Sequence, residues 1–319
     1  MKRIGILTSG GDAPGMNACI RAVVRSALYN GIEVMGIKRG YHGLVYDDVQ
    51  EMKIDSVSDI IQRGGTVLYT ARCLEFKTKE GMDKALKTID KYKLDGIIAI
   101  GGDGTFRGAR DLYNHGINTV CIPGTIDNDL AYTDYTLGFD TAVNTCLYLI
   151  NNLRDTMTSH ERISIVEVMG RNCGDIALYA GVAGGAEAII IPEVPISTDE
   201  IVEKMNQSRK RGKKSNIIVL AEGAGKAENL EKEINKRMNL PIRSTIIGHV
   251  QRGGSPTMAD RVLASKFGYH AVDLIQKGIG NRVVGIVDNK IIDYDIIEAL
   301  EMKRPVDMEM YKLASILAM

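Results

Sequence analysis

The chain carries no net charge, with Lys plus Arg and Asp plus Glu both numbering 40 in 319 residues. A balanced chain offers no global field to nucleic acid or an anionic membrane, so neither is an expected partner. Any anion site must come from local clustering. No apolar run approaches the length of a transmembrane helix. The start, Met1-Lys2-Arg3-Ile4, passes directly into a short apolar strand and lacks the apolar core of a signal peptide. The five cysteines, Cys19, Cys73, Cys121, Cys146 and Cys173, form no CxxC pair and are odd in number. They read as reduced, structural thiols, which fits a cytoplasmic protein. In that setting the sequon Asn206-Gln207-Ser208 is an accident. Prolines number only 7, and no Pro- or Ser-rich linker is visible. Two nucleotide signatures are missing as well: neither GxxxxGK[ST] nor GxGxxG occurs. Their absence counts against a P-loop enzyme and a nicotinamide-dependent oxidoreductase.

Glycine, by contrast, is abundant at 34, without a repeat period. That fits many tight strand-to-helix turns. The first turn, Thr8-Ser9-Gly10-Gly11-Asp12-Ala13-Pro14-Gly15-Met16-Asn17, follows a strand predicted over 3–7. It precedes a helix predicted over 18–29, where Ile20, Val23, Val24 and Leu28 recur at helical spacing. The N–H groups and dipole of such a helix start favour phosphate. An ordinary connection with convenient glycines has the same composition. A second strand is expected over 32–37. The segment 40–73 is less regular and holds Tyr41, then a strand-like 66–69 ahead of Arg72 and Cys73. The Arg72 fork can hold a phosphate bidentately; the alternative is a solvated surface arginine. A strand over 94–100 ends in Gly101-Gly102-Asp103-Gly104-Thr105-Phe106, ahead of a helix over 104–114. Asp103 can reach a metal carried on a polyphosphate, since Mg²⁺ takes one or two carboxylates plus phosphate oxygens. A third apolar run, Val120-Cys121-Ile122, opens into Pro123-Gly124-Thr125-Ile126-Asp127-Asn128-Asp129. If that stretch is extended, Thr125, Asp127 and Asp129 share one face. A carboxylate there suits a base that takes a proton from a substrate hydroxyl. An Asp-rich turn that only caps a loop is the alternative. Three such strand ends predict a common crevice.

A long helix over 139–158 follows, with Asn144, Asn151, Asn152 and Arg154, and then the β/α alternation restarts. Strands are expected over 163–168, 188–191, 216–221 and 243–247, with helices over 174–183, 198–211 and 226–238. A second α/β domain follows from this, with a soft boundary near 138. A helix over 259–277 and a strand over 282–287 return to the first sheet. Polar residues stand at the second set of strand ends: Arg162, Met169-Gly170-Arg171, Glu222, Arg243 and Gly248-His249-Val250-Gln251-Arg252. Four arginines, one histidine and one glutamate suit a small anionic, hydroxylated ligand. His249 alone reads equally as a satisfied structural histidine. A separate basic group comprises Arg21, Arg25, Arg154, Arg211, Lys213 and Lys214. Arg21 and Arg25 share a helix face, although a lone charge run is ordinarily a solvated surface.

Together these residues resemble the bacterial ATP-dependent 6-phosphofructokinases. The likeness spans nearly the whole chain and rests on Thr8–Asn17, Gly101–Thr105, Pro123–Asp129, Met169–Arg171 and His249–Pro256 in fixed order. It implies an α/β fold of two Rossmann-like three-layer α/β/α domains with mainly parallel sheets and the active site in the cleft between them. The ATP-binding domain is expected over 1–138 plus about 256–304, and the fructose 6-phosphate-binding domain over 139–255 plus about 305–319. The implied reaction moves the γ-phosphoryl of ATP to the 1-hydroxyl of fructose 6-phosphate. Carried over by motif, Asp127 is the general base, Thr125 and Arg171 contact the transferring group, and Asp129 supports the site. Gly11, Tyr41, Arg72, Cys73, Gly102, Gly104 and Thr105 border the nucleotide, and Asp103 serves its Mg²⁺. Thr125, Ile126, Asp127, Met169, Gly170, Arg171, Glu222, His249, Val250, Gln251 and Arg252 border the sugar phosphate. Arg162 and Arg243 reach it from a neighbouring subunit of a homotetramer. The basic group resembles an effector site for ADP or phosphoenolpyruvate, made by Arg21, Arg25, Arg154, Arg211, Lys213 and Lys214, with Gly185 and Glu187 on its metal side. Ile54 and Ser215 depart there from some members, which carry Arg and His. Pyrophosphate-using relatives typically carry Asp where this chain has Gly104 and Lys where it has Gly124, so both glycines favour ATP. A pyrophosphate-dependent enzyme and a non-enzymatic nucleotide sensor are the alternatives.

Overall fold

Runs such as Ile97–Ile100 and Ile217–Ala221 are apolar at every position and buried throughout. Only a strand covered on both faces can bury such a run, which is the signature of a parallel sheet between helical layers. The computed structural model describes residues 1–238 and 240–318. Met319, the last residue of the expected second domain, lies outside the described residues. In chain order the elements up to residue 126 are β1 (Arg3–Thr8), α1 (Met16–Tyr29), β2 (Glu33–Ile37), α2 (Tyr41–Val45), β3 (Val49–Met52), α3 (Lys79–Lys91), β4 (Gly96–Gly101), α4 (Asp103–Asn114) and β5 (Asn118–Pro123). There follow α5 (Phe139–His160), β6 (Ile163–Val168), α6 (Asp175–Ala183), β7 (Ala188–Ile190), α7 (Thr198–Lys210), β8 (Asn216–Ala221), α8 (Ala227–Asn235) and β9 (Ile242–Ile246). The last elements are α9 (Met258–Gln276), β10 (Arg282–Val287), β11 (Lys290–Asp295), α10 (Ile296–Glu301) and α11 (Met308–Leu317). The chain divides into two units. One is Met1–Ile126, Leu130–Thr141 and Arg252–Arg304; the other is Asp127–Asp129, Ala142–Gln251 and Pro305–Met319.

The first unit holds a seven-stranded sheet in the order β11-β10-β5-β4-β1-β2-β3. Its five inner strands pair in parallel, and β3 and β11 pair antiparallel at the two edges. Helices α1 and α9 pack together on one face, where a Cβ at Gly268 would meet the Cys19 carbonyl at 3.1 Å. The other face is filled by Leu44, Ala85, Ile89, Phe106, Leu112 and Ile296 from α2, α3, α4 and α10. The chain runs outward from β1 through β2 to β3, then starts again at β4 and runs the other way. The β1–β4 boundary is therefore a topological switch point, the place where an open α/β sheet leaves a crevice outside its carboxyl ends. The second unit has four parallel strands in the order β7-β8-β6-β9. Ile163, Ile165, Ile218 and Leu220 bury one face against Ile201, Met205 and Ile234 of α7 and α8.

Among the strands, three stretches differ from expectation. The stretch 66–69 is a turn rather than a strand. Gly65 and Tyr69 sit at φ 67° and 58°, a left-handed backbone that no extended strand contains. The third strand is instead β3, in the segment read as irregular. As an exposed edge strand with sequence VQEM it has no apolar run to reveal it. The antiparallel β11 is half-buried along its length and lacks a sequence signal for the same reason.

Candidate active site

The first Gly-rich turn leaves β1 and the second leaves β4, side by side at the switch point. Ser9 N–H donates to the Ile100 carbonyl at 3.0 Å, Thr105 Oγ1 donates to the Ser9 carbonyl at 3.1 Å, and Gly124 N–H donates to the Gly101 carbonyl at 2.9 Å. Three strand ends are thus stitched into one surface. A Cβ at Gly101 would come within 3.0 Å of both the Ser9 carbonyl and Thr105. Glycine is required there for the two turns to touch. Gly104 is exposed and a Cβ on it would meet nothing within 4 Å. Gly102, Asp103 and Gly104 start α4, so its free N–H groups and positive end face whatever occupies this surface.

A third loop is held over the first turn. The buried Asn17 amide donates to the Arg63 and Gly64 carbonyls at 3.1 and 3.0 Å, and its oxygen accepts from Val67 N–H at 2.7 Å. Thr8 Oγ1 lies 2.9 Å from Thr66 Oγ1, and Thr70 Oγ1 donates to the Gly10 carbonyl at 2.6 Å. These bonds aim the following segment, where Arg72 is exposed and Cys73 packs against the core. Asn17, which the sequence shows only as part of a motif, is the clamp. Tyr41 differs from expectation. It is buried, its ring stacks on Phe76 at 4.3 Å, and its hydroxyl donates to the Thr105 carbonyl at 2.5 Å. Burial pushes its phenol well above the ordinary range. Tyr41 props the α4 turn from behind.

The stretch after β5 is not extended. It bends at Ile126 and Asp127, and Asn128 adopts φ 52°, so the two-residue alternation expected for Thr125, Asp127 and Asp129 does not hold. Ile126 is fully buried. Asp127–Asp129 belongs with the second unit. There Asn128 Nδ2 donates to Asp175 Oδ2 at 2.9 Å, and Arg171 Nε lies 3.3 Å from Asp127 Oδ2. The pair is asymmetric: the Asp127 side chain is 1% exposed and that of Arg171 is 63% exposed. A low-dielectric carboxylate is held by a guanidinium whose other donors face outward. Arg171 itself sits at φ 53° after Gly170 at φ 128°, and its N–H donates to Glu222 Oε1 at 3.0 Å. Met169, Gly170, Arg171, Glu222 and the turn Gly248–Arg252 all leave the carboxyl ends of β6, β8 and β9. His249 and Val250 are exposed on that turn. Gln251 is not available to a ligand: it is fully buried, its oxygen accepts from Met169 N–H and Cys146 Sγ at 3.1 Å, and its nitrogen donates to the Gly248 carbonyl at 2.9 Å. Burial pushes the Cys146 thiol up to about 12.

Within the second unit, Arg162 and Arg243 do not sit with Arg171. Arg162 precedes β6 and Arg243 lies opposite Ser164 in β9, both at the amino end of the sheet. Six residues of strand, about 20 Å, separate that end from Arg171. Arg252 is in the first unit, where its Nη1 donates to the Asp12 carbonyl at 3.0 Å. Of the basic group, four members lie in the second unit. Arg154 donates to the Gly184 and Gly185 carbonyls, and Lys213 pairs with Glu187, whose other oxygen accepts from Ile217 N–H at 2.6 Å. Lys214 turns instead to Glu161 at 2.5 Å. Arg211 follows the end of α7, Ser215 precedes β8, and Arg21 and Arg25 lie on α1 of the first unit.

Among the described residues, no cluster of three or more His, Cys, Asp or Glu could hold a metal. The single exposed carboxylate of Asp103 at a helix start fits a Mg²⁺ whose remaining oxygens come from phosphate and water. Among the described residues no helix is long and apolar enough to cross a membrane.

One family model, Phosphofructokinase, matches residues 3–275. The chain belongs to the phosphofructokinase family. Over 318 residues, covering all of both chains, it is 60% identical to a protein of Clostridioides difficile named ATP-dependent 6-phosphofructokinase. A Clostridium botulinum protein of the same name is 59% identical over the same coverage. Among solved structures, phosphofructokinase from Saccharomyces cerevisiae superposes with a TM-score of 0.91 at 34% identity, covering 100% of this chain and 48% of the yeast chain. A pyrophosphate-dependent phosphofructokinase from Marinobacter aquaeolei has a TM-score of 0.86 at 20% identity, covering 97% of this chain and 86% of the other, and shares the fold.

Proposed function

We propose that this chain transfers the γ-phosphoryl of ATP to the 1-hydroxyl of D-fructose 6-phosphate, releasing fructose 1,6-bisphosphate and ADP. The observation that carries the reading is the buried Asp127 carboxylate 3.3 Å from the guanidinium of Arg171. Phosphoryl transfer needs little covalent help; positioning and charge neutralisation dominate. Asp127 takes the proton of the 1-hydroxyl as the oxygen attacks. Arg171 steadies that carboxylate and offers its free donors to the transferring phosphoryl oxygens, with Thr125 as a further contact and Asp129 in support. The turns at Gly10–Gly15 and Gly101–Thr105 hold the polyphosphate by backbone N–H groups, and Arg72 and Cys73 border the nucleotide. Asp103 would hold a Mg²⁺ ion, which would supply charge neutralisation for the phosphate oxygens. Met169, Gly170, Glu222, His249 and Arg252 hold the sugar phosphate. Arg162 and Arg243, on the far end of the sheet from Arg171, act on a neighbouring copy, which requires an oligomer, taken as a homotetramer. Arg21, Arg25, Arg154, Arg211 and Lys213, with Gly185 and Glu187, receive ADP or phosphoenolpyruvate at an effector site, and the enzyme works in the cytoplasm. Met1–Ile126 with Arg252–Arg304 is then the nucleotide domain, and Ala142–Gln251 the sugar-phosphate domain.

A coupled assay with fructose 6-phosphate and Mg²⁺, run once with ATP and once with pyrophosphate, tests the donor. Turnover with ATP alone is expected. Asp127→Ser should lose about 10²–10⁴-fold in kcat while still binding fructose 6-phosphate. Near-normal kcat in that variant refutes the base assignment.

A further inference from the structure

We infer that Gly11 is a positioning residue for Arg252: the absent side chain at 11 forms the seat in which the Arg252 guanidinium lies. The inference rests on the reading of Arg252 as a contact to the sugar phosphate. A Cβ placed on Gly11 would stand 3.0 Å from Arg252 Cζ and 3.2 Å from Nη2, and closer still to Nη1. The three atoms it would meet first all belong to Arg252. Conformation does not explain the glycine: Gly10 and Gly15 have φ 87° and 100°, whereas Gly11 is not in the left-handed region. Nor does close backbone packing, of the kind that Gly101 shows against Ser9. What the missing methyl admits is a guanidinium.

The seat has a chemical consequence. Arg252 Nη1 spends one N–H on the Asp12 carbonyl at 3.0 Å. That fixes the plane of the fork and leaves the other donors of the guanidinium for an anion. A side chain held this way loses less freedom when it binds. Arg252 is also the residue at which the chain re-enters the first unit after Gln251, whose side chain is locked to Met169 and Gly248. The donor-side turn therefore sets the aim of an acceptor-side arginine. Gly11 has a role in sugar-phosphate specificity that its place in a phosphate-binding turn conceals. Because the obstructing atoms are the far end of a flexible side chain, Gly11→Ala displaces the guanidinium and spares the backbone.

A double-mutant cycle tests this. Wild type, Gly11→Ala, Arg252→Ala and the double variant are assayed for kcat/KM toward fructose 6-phosphate at saturating ATP and for KM of ATP, with thermal melting as a check on folding. Gly11→Ala is expected to lower kcat/KM for fructose 6-phosphate by about tenfold in the wild-type background and by less than about threefold when Arg252 is already gone. Because Gly11 borders the nucleotide with or without Arg252, any change in the KM of ATP should be the same in both backgrounds. Equal losses in both backgrounds, or a loss confined to ATP, overturn the inference. If Arg252→Ala alone leaves kcat/KM for fructose 6-phosphate at the wild-type level, the sugar-phosphate reading of Arg252 fails first, and the seat fails with it. Gly11→Ser is the second probe should Gly11→Ala melt early, and it is judged by the same background test.

Discussion

Asn17→Ala probes the clamp that holds the loop over the first turn. Asn17 is 1% exposed and makes three hydrogen bonds to that loop, to the Arg63 carbonyl, the Gly64 carbonyl and the Val67 N–H. Each such bond contributes about 1 kcal/mol net. The freed partners are only partly buried, so water can reach them, and the total falls at about 2–3 kcal/mol. The loss is local, because the loop holds no strand or helix between residues 61 and 70. Native-state hydrogen exchange at the Val67 amide reads it directly. A loss of 2–3 kcal/mol corresponds to roughly 30- to 150-fold less protection. Since Arg72 follows the loop, KM for ATP should rise as well. Asn17→Asp separates hydrogen bonding from packing. It keeps an acceptor for Val67 but sets an oxygen against two carbonyls, so it should be no milder than Asn17→Ala. If Val67 exchange changes by less than about threefold, or if the near-isosteric Asn17→Asp is the milder of the two, the clamp reasoning is wrong.

Other outcomes follow from single positions. Gly101→Ala forces a methyl against the Ser9 carbonyl and Thr105. It should cost about 1–3 kcal/mol in urea unfolding, whereas Gly104→Ala, with nothing within 4 Å, should leave stability unchanged and alter only the nucleotide kinetics. Co-expression of Asp127→Ser with Arg243→Ser, whose own defect should be mainly a raised KM for fructose 6-phosphate, should give more activity at low fructose 6-phosphate than either variant alone, if Arg243 serves a neighbour's site; hybrids no better than the parents would remove that role. The backbone N–H groups of Lys2 and Arg3 hold the Asp95 carboxyl below its ordinary range. A depressed pKa contributes stability above the unfolded-state value and loses it as pH falls through the folded one. Wild type should therefore outlast Asp95→Asn in denaturant above about pH 4, and the two should converge in more acid solution.

Burial explains why Asp127 and Arg171 form an informative pair despite one member being exposed. The carboxylate is kept from bulk water while the guanidinium is 63% exposed. Lys213 and Glu187 show a similar asymmetry, with a 4%-exposed carboxylate anchored by Ile217 N–H and a cation that is 42% exposed.

Local chemistry determined much of this protein in advance. Fully apolar runs specify buried parallel strands, glycines after β1 and β4 specify tight turns at helix starts, and both were legible because each depends on neighbours in sequence. The family motifs were legible for the same reason. Edge strands such as β3 were not, because a strand exposed on one side carries no apolar run. Only the tertiary structure decided which strand ends meet, since the β1–β4 switch point is a property of strand order, which no local pattern encodes. It also sorted residues that composition had grouped together. Arg162 and Arg243 went to the amino end of the second sheet, Gln251 and Tyr41 went into the interior, and Asn17 became a clamp, since a side chain's partners lie far away in sequence. Even glycine, legible as a turn former, took a second meaning at position 11, where a guanidinium from residue 252 occupies the space a side chain would have filled.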